Sequence, residues 1–531
     1  MSKALVLSLT FLVGWVAYKQ LASWLRWRAL RSWGLQNGCQ DITKSESPFQ
    51  SSIKKYSHLF SGDLDKKDFF EEFVRAPFEK MGVYTYRTHG FFDESHISTA
   101  EPANIQAVLS VKSRDYDLGP KRKMKYEGLL GDGIFTSEGE QWRHFRGQLK
   151  PYFSKDLVGE LDAASKHIDL LLHALPAEDE RGWVRGVDIM PMLLNFTMDS
   201  STEFLFGQSL NSQSTTYGSN GTADKVNEYA NFAKAMDEAL EYAGRRFKLE
   251  LPSWLLPSPK EYKEACRIVQ EFTNYSVRMV LEQTDSKDDD GPEQKKKTVL
   301  LRELATTTRD PDELGQQMLH LLAAGRETTA AAIAYTVMLL GRHSHEYARI
   351  RKIVLSHFGS EDAPLQDLKS ISALRTCKPL QDVVYEALRL YPAIAVSSRV
   401  ANKDTVLPVG GGIDGRQPIA VRKGEEIKYA AYVMHRRRDI WGEDADEFRP
   451  QRWEKRKLGS DIIPFSIGPR TCIGNQFALN QATFVLAKLA QRYDKIEHVD
   501  ADRPITSRVT AILMPTEGVR IRFHRANPRQ A

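Results

Sequence analysis

The sequence predicts a mainly α fold with a smaller β part, an α+β arrangement in which one large body follows a short N-terminal segment. Three observations predict it. Apolar residues recur at helical spacing through most of the chain. Runs of β-formers punctuated by Gly and Pro are confined to the stretch from Ala393 to Tyr432 and to the C-terminal region. No repeat of fixed period marks a solenoid or propeller. The 531 residues are 41% hydrophobic and 27% charged, which excludes a polytopic membrane protein. Lys and Arg number 74 against 69 Asp and Glu, a net charge of +5 that is too small at this length to indicate nucleic-acid binding. The four cysteines, Cys39, Cys266, Cys377 and Cys472, form no CxxC pair, which excludes a disulfide scaffold or a structural zinc site and fits a reducing compartment.

At the N-terminus, Ala4 to Tyr18 is almost unbroken apolar sequence and Leu21 to Leu25 continues it, long enough for one membrane helix if Lys19 snorkels. Arg26, Arg28 and Arg31 follow it while only Lys3 precedes it, which leaves the body in the cytosol. A cleaved secretory signal is the competing reading, but its charge precedes the apolar core. The division is therefore residues 1–31 as anchor and basic flank, and 32–531 as the body. The sequons at Asn195, Asn220 and Asn274 should then carry no glycan.

Two polar stretches, Asn211 to Asp224 and Thr284 to Lys297, read as surface loops. Asp310 starts a long helix, with Pro311 at its first position and Glu313 completing a capping-box pattern, and the helix should run to about Arg342. Its middle holds Ala323, Ala324, Gly325 and Ala330 to Ala332, so either a bulky group or a second helix packs closely there. His343 and His345, two apart at its end, suit capping or the surface rather than a metal. Pro379 to Leu390 forms another helix, with Glu386 and Arg389 at i, i+3, an ordinary ion pair when taken alone. Leu407 to Val409 and Ile419 to Val421 read as strands. Gly410, Gly412 and Gly415 spell GxGxxG, but no helix follows, so they make a hairpin turn and not a dinucleotide site. Ser507 to Leu513 and Gly518 to Phe523 read as a last hairpin. No GxxxxGK[ST], HExxH or GxSxG occurs.

The segment richest in chemistry is Phe465, Gly468, Arg470, Cys472 and Gly474, the pattern FxxGxRxCxG, followed at once by a helical run from Asn475 to Arg492. The bland reading is an inert cysteine in a turn. In this pattern the chain resembles the cytochrome P450 haem-thiolate monooxygenases, and the resemblance implies the cytochrome P450 fold and a haem b whose iron takes an axial thiolate from Cys472. A thiolate must reach iron from a stiff loop, so Gly468 permits the turn and Gly474 lets the backbone approach the macrocycle. A position just before a helix N-terminus would hold Cys472 as thiolate. Arg470 would pair with a propionate and Phe465 would cover the thiolate side of the ring.

Other motifs follow in the family's order. Ala324, Gly325, Glu327 and Thr328 look like the oxygen-binding [AG]Gx[DE]T helix, in which Thr328 with Glu327 would deliver protons to dioxygen. Glu386 and Arg389 match ExxR, and Arg452 takes the place of the arginine that locks to that pair, although Gln451 and Trp453 depart from the usual Glu-Arg-Phe wording. Trp142 and Arg146 match WxxxR, and Arg399 lies where another propionate partner is often found. Cations round two propionates neutralise charge that is costly to bury. The resemblance further implies electrons from a separate NADPH-cytochrome P450 reductase, O2 as cosubstrate, a lipophilic small-molecule substrate, contact with membrane lipid, no nucleic acid, and a single-pass place in the endoplasmic reticulum membrane.

Leu130 to Phe135, Leu407 to Gly412 and Met434 to Trp453 look like the fungal branch that hydroxylates alkanes and fatty acids, which implies terminal or near-terminal hydroxylation of a long chain. Tailoring of a polyketide or terpenoid, a reductase-independent isomerase or dehydratase, and a non-catalytic haem-binding membrane protein are the alternatives. Substrate choice should lie in Tyr116 to Gly119, Ala393 to Val396 and Ala511 to Leu513, segments that are small or apolar.

Overall fold

The computed structural model describes residues 3–42, 44–46, 68–89, 95–153, 161–217, 223–249, 258–285, 299–361 and 373–526. It is the expected mainly helical fold with a smaller β part. Asn220 and residues 286–297 of the second polar stretch lie outside the described residues. The described part of the first polar stretch is not all loop, since Ser212–Tyr217 forms a short helix. The chain divides into two compact units, the first made of residues 1–119, 394–445 and 458–471, the second of 120–393, 446–457 and 472–531.

In the first unit, helix α1 (Lys3–Gln36) runs unbroken past residue 31. No helix among the described residues is long and apolar enough to cross a membrane. The expected spanning helix therefore has no support among the described residues. The far end of α1 is docked. Trp27 lies between two guanidinium groups, Arg87 at 4.8 Å and Arg422 at 4.7 Å from its ring centre. Arg87 is fixed in turn by Glu425, at 2.8 Å.

A six-stranded sheet forms the body of this unit. Its order is β1 (Ser45–Glu46), β2 (Thr85–His89), β3 (Ser95–Thr99), β9 (Glu426–Ala430), β6 (Val396–Ala401) and β4 (Tyr116–Asp117). Strands β7 (Thr405–Gly411) and β8 (Gln417–Val421) form the separate hairpin that the glycine pattern predicts, and Gly410, Gly412 and Gly415 all take positive φ. Ile97, Leu407, Ile419 and Ile427 are fully or almost fully buried beneath these strands.

The second unit carries the helices α2 (Pro120–Leu130), α3 (Gly139–Leu149), α4 (Leu161–His173), α5 (Ile189–Phe206), α6 (Ala223–Leu249), α7 (Lys260–Asp285), α8 (Pro311–Arg342), α9 (Ser344–Phe358), α10 (Lys378–Leu390) and α11 (Asn475–Arg492). The 32 residues of α8 give a rod about 48 Å long, against which α5, α7, α10 and α11 pack. Asp310 caps it as expected, accepting from the Asp312 N–H at 3.0 Å. Glu313 does not close a capping box; its Oε1 accepts from Gln148 at 2.8 Å and meets His144 at 3.0 Å, partners on α3 that local spacing does not reveal. At the other end His343 caps, its Nδ1 2.8 Å from the Leu339 carbonyl.

The expected last hairpin does not form. β11 (Ser507–Val509) folds back on β12 (Leu513–Pro515), while β13 (Arg520–Arg525) lies between β10 (Tyr493–His498) and β5 (Trp183–Asp188). Asp188 makes the redirection possible: Oδ1 accepts from the Val519 N–H at 2.8 Å and also caps α5 through Met190 at 3.0 Å. Gly518, at φ +75°, leaves room for that carboxylate, which a Cβ there would meet at 2.2 Å.

Candidate active site

Phe465, Gly468, Arg470 and Arg399 belong to the first unit, and Cys472, Gly474, Trp142, Arg146, Glu327, Thr328, Glu386, Arg389 and Arg452 to the second; the chain passes from one to the other between Thr471 and Cys472.

In the first unit, the turn before the cysteine is held in an unusual backbone path. Ser466 takes φ +59° and Gly468 φ +75°. A Cβ on Gly468 would stand 2.0 Å from the Leu109 carbonyl oxygen, so glycine is required by close approach as well as by conformation. The Thr471 hydroxyl donates back to the carbonyls of Ser466 at 3.1 Å and Phe465 at 3.3 Å, which stiffens the turn. Arg470 ends the 3-10 turn Gly468–Arg470 and, like Phe465, is half-buried. Arg399 on β6 is buried, with Nη1 donating to the Ser398 carbonyl at 2.8 Å and to the Tyr429 hydroxyl at 3.4 Å.

In the second unit, Cys472 precedes α11 and is the one exposed cysteine of the four. Its thiol is not held in the ionised form by the protein alone. Desolvation by the packed chain round it pushes its pKa up, against the opposing pull of the Gly474 N–H and of Arg146. The helix N-terminus was expected to win, but one N–H bond and one half-buried cation do not outweigh that desolvation. Arg146 lies beside Trp142 on α3, 5.8 Å from its ring centre, and burial lowers its own pKa while the Cys472 sulfur opposes that. A Cβ on Gly474 would meet only Phe153, at 3.8 Å. No neighbour among the described residues therefore demands glycine at that position, which leaves room for a planar group to lie on the loop.

This donor set fits a haem. Among the described residues no group of three or more His, Cys, Asp or Glu could hold a metal ion. A lone accessible sulfur would suit an iron whose remaining donors a macrocycle supplies.

On α8 every residue from Gln317 to Leu340 is buried except Ala323, Ala324, Gly325 and Thr328. The small residues thus border an opening, as the bulky-neighbour reading requires. Helix packing uses part of the same stretch, since a Cβ on Gly325 would meet Ser201 of α5 at 3.3 Å. The Thr328 hydroxyl donates to the Ala324 carbonyl at 2.6 Å. Glu327, one residue earlier and about 100° round the helix, is buried and shares no hydrogen bond with Thr328. Desolvation raises its pKa to about 7, with Asp237 and Glu241 adding to the rise and Arg326 and Arg508 opposing it. Its folded-state pKa lies above the ordinary 4.5, so the native state keeps a proton that the unfolded chain releases first. Stability from this group is full below about 4.5 and declines as pH rises to about 7. Glu327→Gln is expected to flatten that decline in urea unfolding measured from pH 5 to 8; an unchanged slope counts against the assignment.

Glu386, Arg389 and Arg452 come together as expected. Glu386 and Arg389 are both fully buried, with Arg389 Nη2 2.8 Å and Nε 3.0 Å from the carboxylate, and Arg452 Nε 3.3 Å away. The sequence reading missed two further donors to the same carboxylate, the Trp453 indole N–H at 3.0 Å and the Arg449 backbone N–H at 3.0 Å. The signal was present in Trp453, where the usual wording has Phe: an indole can donate and a phenyl cannot.

The family model described as Cytochrome P450 matches residues 64–523. Among curated proteins the chain is similar to cytochrome P450 monooxygenase g430 of a Fusarium species, 37% identical over 86% of this chain and 80% of that one. It is also similar to cytochrome P450 monooxygenase alt2 of Alternaria solani, 34% identical over 94% and 92%, and to cytochrome P450 52A13 of Debaryomyces hansenii, 36% identical over 80% of each. Of solved structures, a crystal structure of a cytochrome P450 (CYP102L1) superposes with a TM-score of 0.67 at 22% identity, covering 86% of this chain and 94% of that one.

Proposed function

The chain belongs to the cytochrome P450 family, and from that premise we propose that this monooxygenase hydroxylates a long aliphatic chain, a fatty acid or an alkane, at or near its end. The family brings haem with a cysteine thiolate ligand, O2, a lipophilic substrate and a redox partner. The observation that carries the finer reading is the open face of α8, where Ala323, Ala324, Gly325 and Thr328 offer one hydroxyl and otherwise only small apolar surface. Ile512 and Leu513, in one of the segments expected to choose substrate, are buried and apolar as well. An unbranched hydrocarbon needs little else.

Haem supplies redox-active iron at which dioxygen is activated. The chain's own residues do the rest. Cys472 presents its sulfur from the loop fixed by Gly468, and Gly474 keeps that face clear. Cys472 would hold the iron as its thiolate, releasing its proton to solvent against the desolvation that raises its pKa. Arg470, Arg146, Trp142 and Arg399 would meet the propionates, and Phe465 would shield the sulfur. Thr328 carries the one hydroxyl among these half-buried residues of α8, and Glu327 beside it in sequence, buried and with a pKa of about 7, would hold a proton near the working pH.

Thr328→Ala tests this assignment together with the function. Haem content and binding of hexadecanoic acid should stay within about twofold of wild type. The fraction of NADPH electrons that appear in hydroxylated product should fall by about tenfold or more, within the range lost with one proton-transfer group, and peroxide should replace it. Unchanged coupling removes Thr328 from the mechanism, and a holoenzyme that oxidises no aliphatic chain removes the substrate reading.

We propose in addition that NADPH-cytochrome P450 reductase supplies the electrons and that α1 attaches the chain to the endoplasmic reticulum membrane with both units in the cytosol. Phe11, Trp15, Tyr18, Leu21, Trp24 and Leu25 are exposed on α1, ahead of Arg26, Arg28 and Arg31. The full chain should stay with microsomes through an alkaline carbonate wash, with no glycosidase-sensitive mass on Asn195 or Asn274. Release by carbonate contradicts stable attachment, and a glycan contradicts the cytosolic placement.

A further inference from the structure

One cation on α8 stands between two carboxyl groups. Arg326, only 2% exposed, reaches from α8 to Asp237, half-exposed on α6, and forms a two-pronged pair: Nη1 meets Oδ1, and Nη2 donates to Oδ2 at 3.1 Å. Its Nε is buried without a partner among the described residues. Glu327, the next residue on α8, is also buried, yet it makes no ion pair among the described residues. The groups that face it are Arg326 from its own helix, Asp237 and Glu241 from α6, Arg508 from β11 and Tyr126 from α2. Glu241 is itself engaged by Arg245, at 2.8 Å. Helix α6 does not depend on the Asp237 pair to stay in place, because Phe232, Met236, Ala239 and Leu240 bury its apolar stripe in the core of this unit. What the pair decides is which carboxyl group holds the guanidinium.

We propose that Asp237 is a positioning residue for proton delivery: by holding the Arg326 guanidinium on α6 it leaves Glu327 without an ionic partner, so that Glu327 can take up and release a proton during turnover. The inference rests on the proton-holding role given to Glu327 above and deepens it. A carboxylate locked to a guanidinium is fixed in its charged form. A Glu327 paired with Arg326 would thus be ionised at neutral pH and have no proton to give. With Asp237 occupying both Nη groups, burial dominates at Glu327, and its pKa stands at about 7. Asp237 suits the part because its side chain is half in water, and it brings a negative charge to the guanidinium without the desolvation that Glu327 would incur. Residues 326 and 327 point about 100° apart round the helix, so one arginine serves α6 while its neighbour faces elsewhere.

The test is the titration of Glu327 in the haem-loaded protein, followed by the infrared carbonyl band of its protonated carboxyl group, which Glu327→Gln identifies by removing it. In Asp237→Asn the released guanidinium should turn to Glu327 and lower its midpoint by about one pH unit or more, the range for a carboxyl group beside an arginine. The fraction of NADPH electrons recovered in hydroxylated product at pH 7 should fall in step with the protonated fraction, by about fivefold or more. Haem content and binding of hexadecanoic acid should stay within about twofold. Asp237→Glu, which keeps the charge, should hold both readings near wild type. When Asp237→Asn is combined with Arg326→Gln no guanidinium is left to be released, and the midpoint should return to the wild-type value or above it. Urea midpoints establish that the variants fold, and the contrast between Asp237→Asn and Asp237→Glu decides if the double variant does not. An unchanged midpoint in Asp237→Asn overturns the proposal, as does a fall that persists in the double variant, which would trace it to the lost Asp237 charge alone. Unchanged coupling in Asp237→Asn while Glu327→Gln is uncoupled also overturns it and leaves the role of Glu327 standing. If Glu327→Gln stays coupled as well, that role falls and the proposal falls with it.

Discussion

Cys472→Ser is expected to abolish monooxygenase turnover altogether and to erase the thiolate signature from the carbon monoxide difference spectrum of the reduced protein. The geometry makes the loss specific. The other three cysteines are buried on other elements and only Cys472 is exposed, so none of the three can substitute as a ligand. The backbone of the loop does not depend on the sulfur. It depends on the positive φ of Ser466 and Gly468, on the approach of Gly468 to the Leu109 carbonyl, and on the Thr471 hydroxyl. A serine should therefore sit where the cysteine sat, with an oxygen that remains protonated and gives iron no soft anionic donor. Desolvation raises the Cys472 pKa in the chain by itself, against the Gly474 N–H and Arg146. In protein prepared without haem the thiol should accordingly react sluggishly with an alkylating reagent at pH 7, and more readily as pH rises. Retained oxidation in the serine variant, or rapid alkylation of the haem-free protein at neutral pH, contradicts this account.

Much of that site was legible before any coordinates. FxxGxRxCxG names its own turn and helix, and α11 begins and ends on the residues the pattern gives, Asn475 and Arg492. Asp310 and Pro311 likewise announce α8, because capping and the fixed φ of proline are local effects. Readings that depend on distant partners fared differently. β11 and β13 look like two arms of one hairpin because they are neighbours in sequence. Pairing of β13 with β5 and β10 is decided by Asp188, over 300 residues away. Glu313 fits a capping box by spacing, yet α3 offers it His144 and Gln148. The balance of forces on the Cys472 thiol turns on how densely protein packs round it, which no motif encodes.

The second large effect is expected from Glu386→Gln, which should lower the stability of the haem-loaded protein by about 3–5 kcal/mol, the cost of breaking a buried ion pair from one side. Glutamine keeps the shape, so the change is one of charge and hydrogen bonding. In the native arrangement one carboxylate answers two guanidiniums, Arg389 and Arg452, and also accepts from the Trp453 indole and the Arg449 N–H. The amide retains one acceptor oxygen and turns an NH2 group toward donors that have no use for it. Arg389, fully buried, loses the carboxylate it faces at 2.8 Å while keeping the Glu447 carbonyl at 3.0 Å as an acceptor. The consequences should reach further than α10, because the carboxylate ties that helix to the 3-10 turn Pro450–Glu454. Trp453→Phe provides the graded comparison: it removes a single donor to a charged acceptor and should cost about 1.5–3 kcal/mol. Combining it with Glu386→Gln should cost less than the sum, since the indole has lost its charged partner already. Urea unfolding and haem retained through purification measure both variants. A loss below about 1 kcal/mol for Glu386→Gln, the level of an exposed surface pair, would mean that the carboxylate is not the hub that binds α10 to this turn.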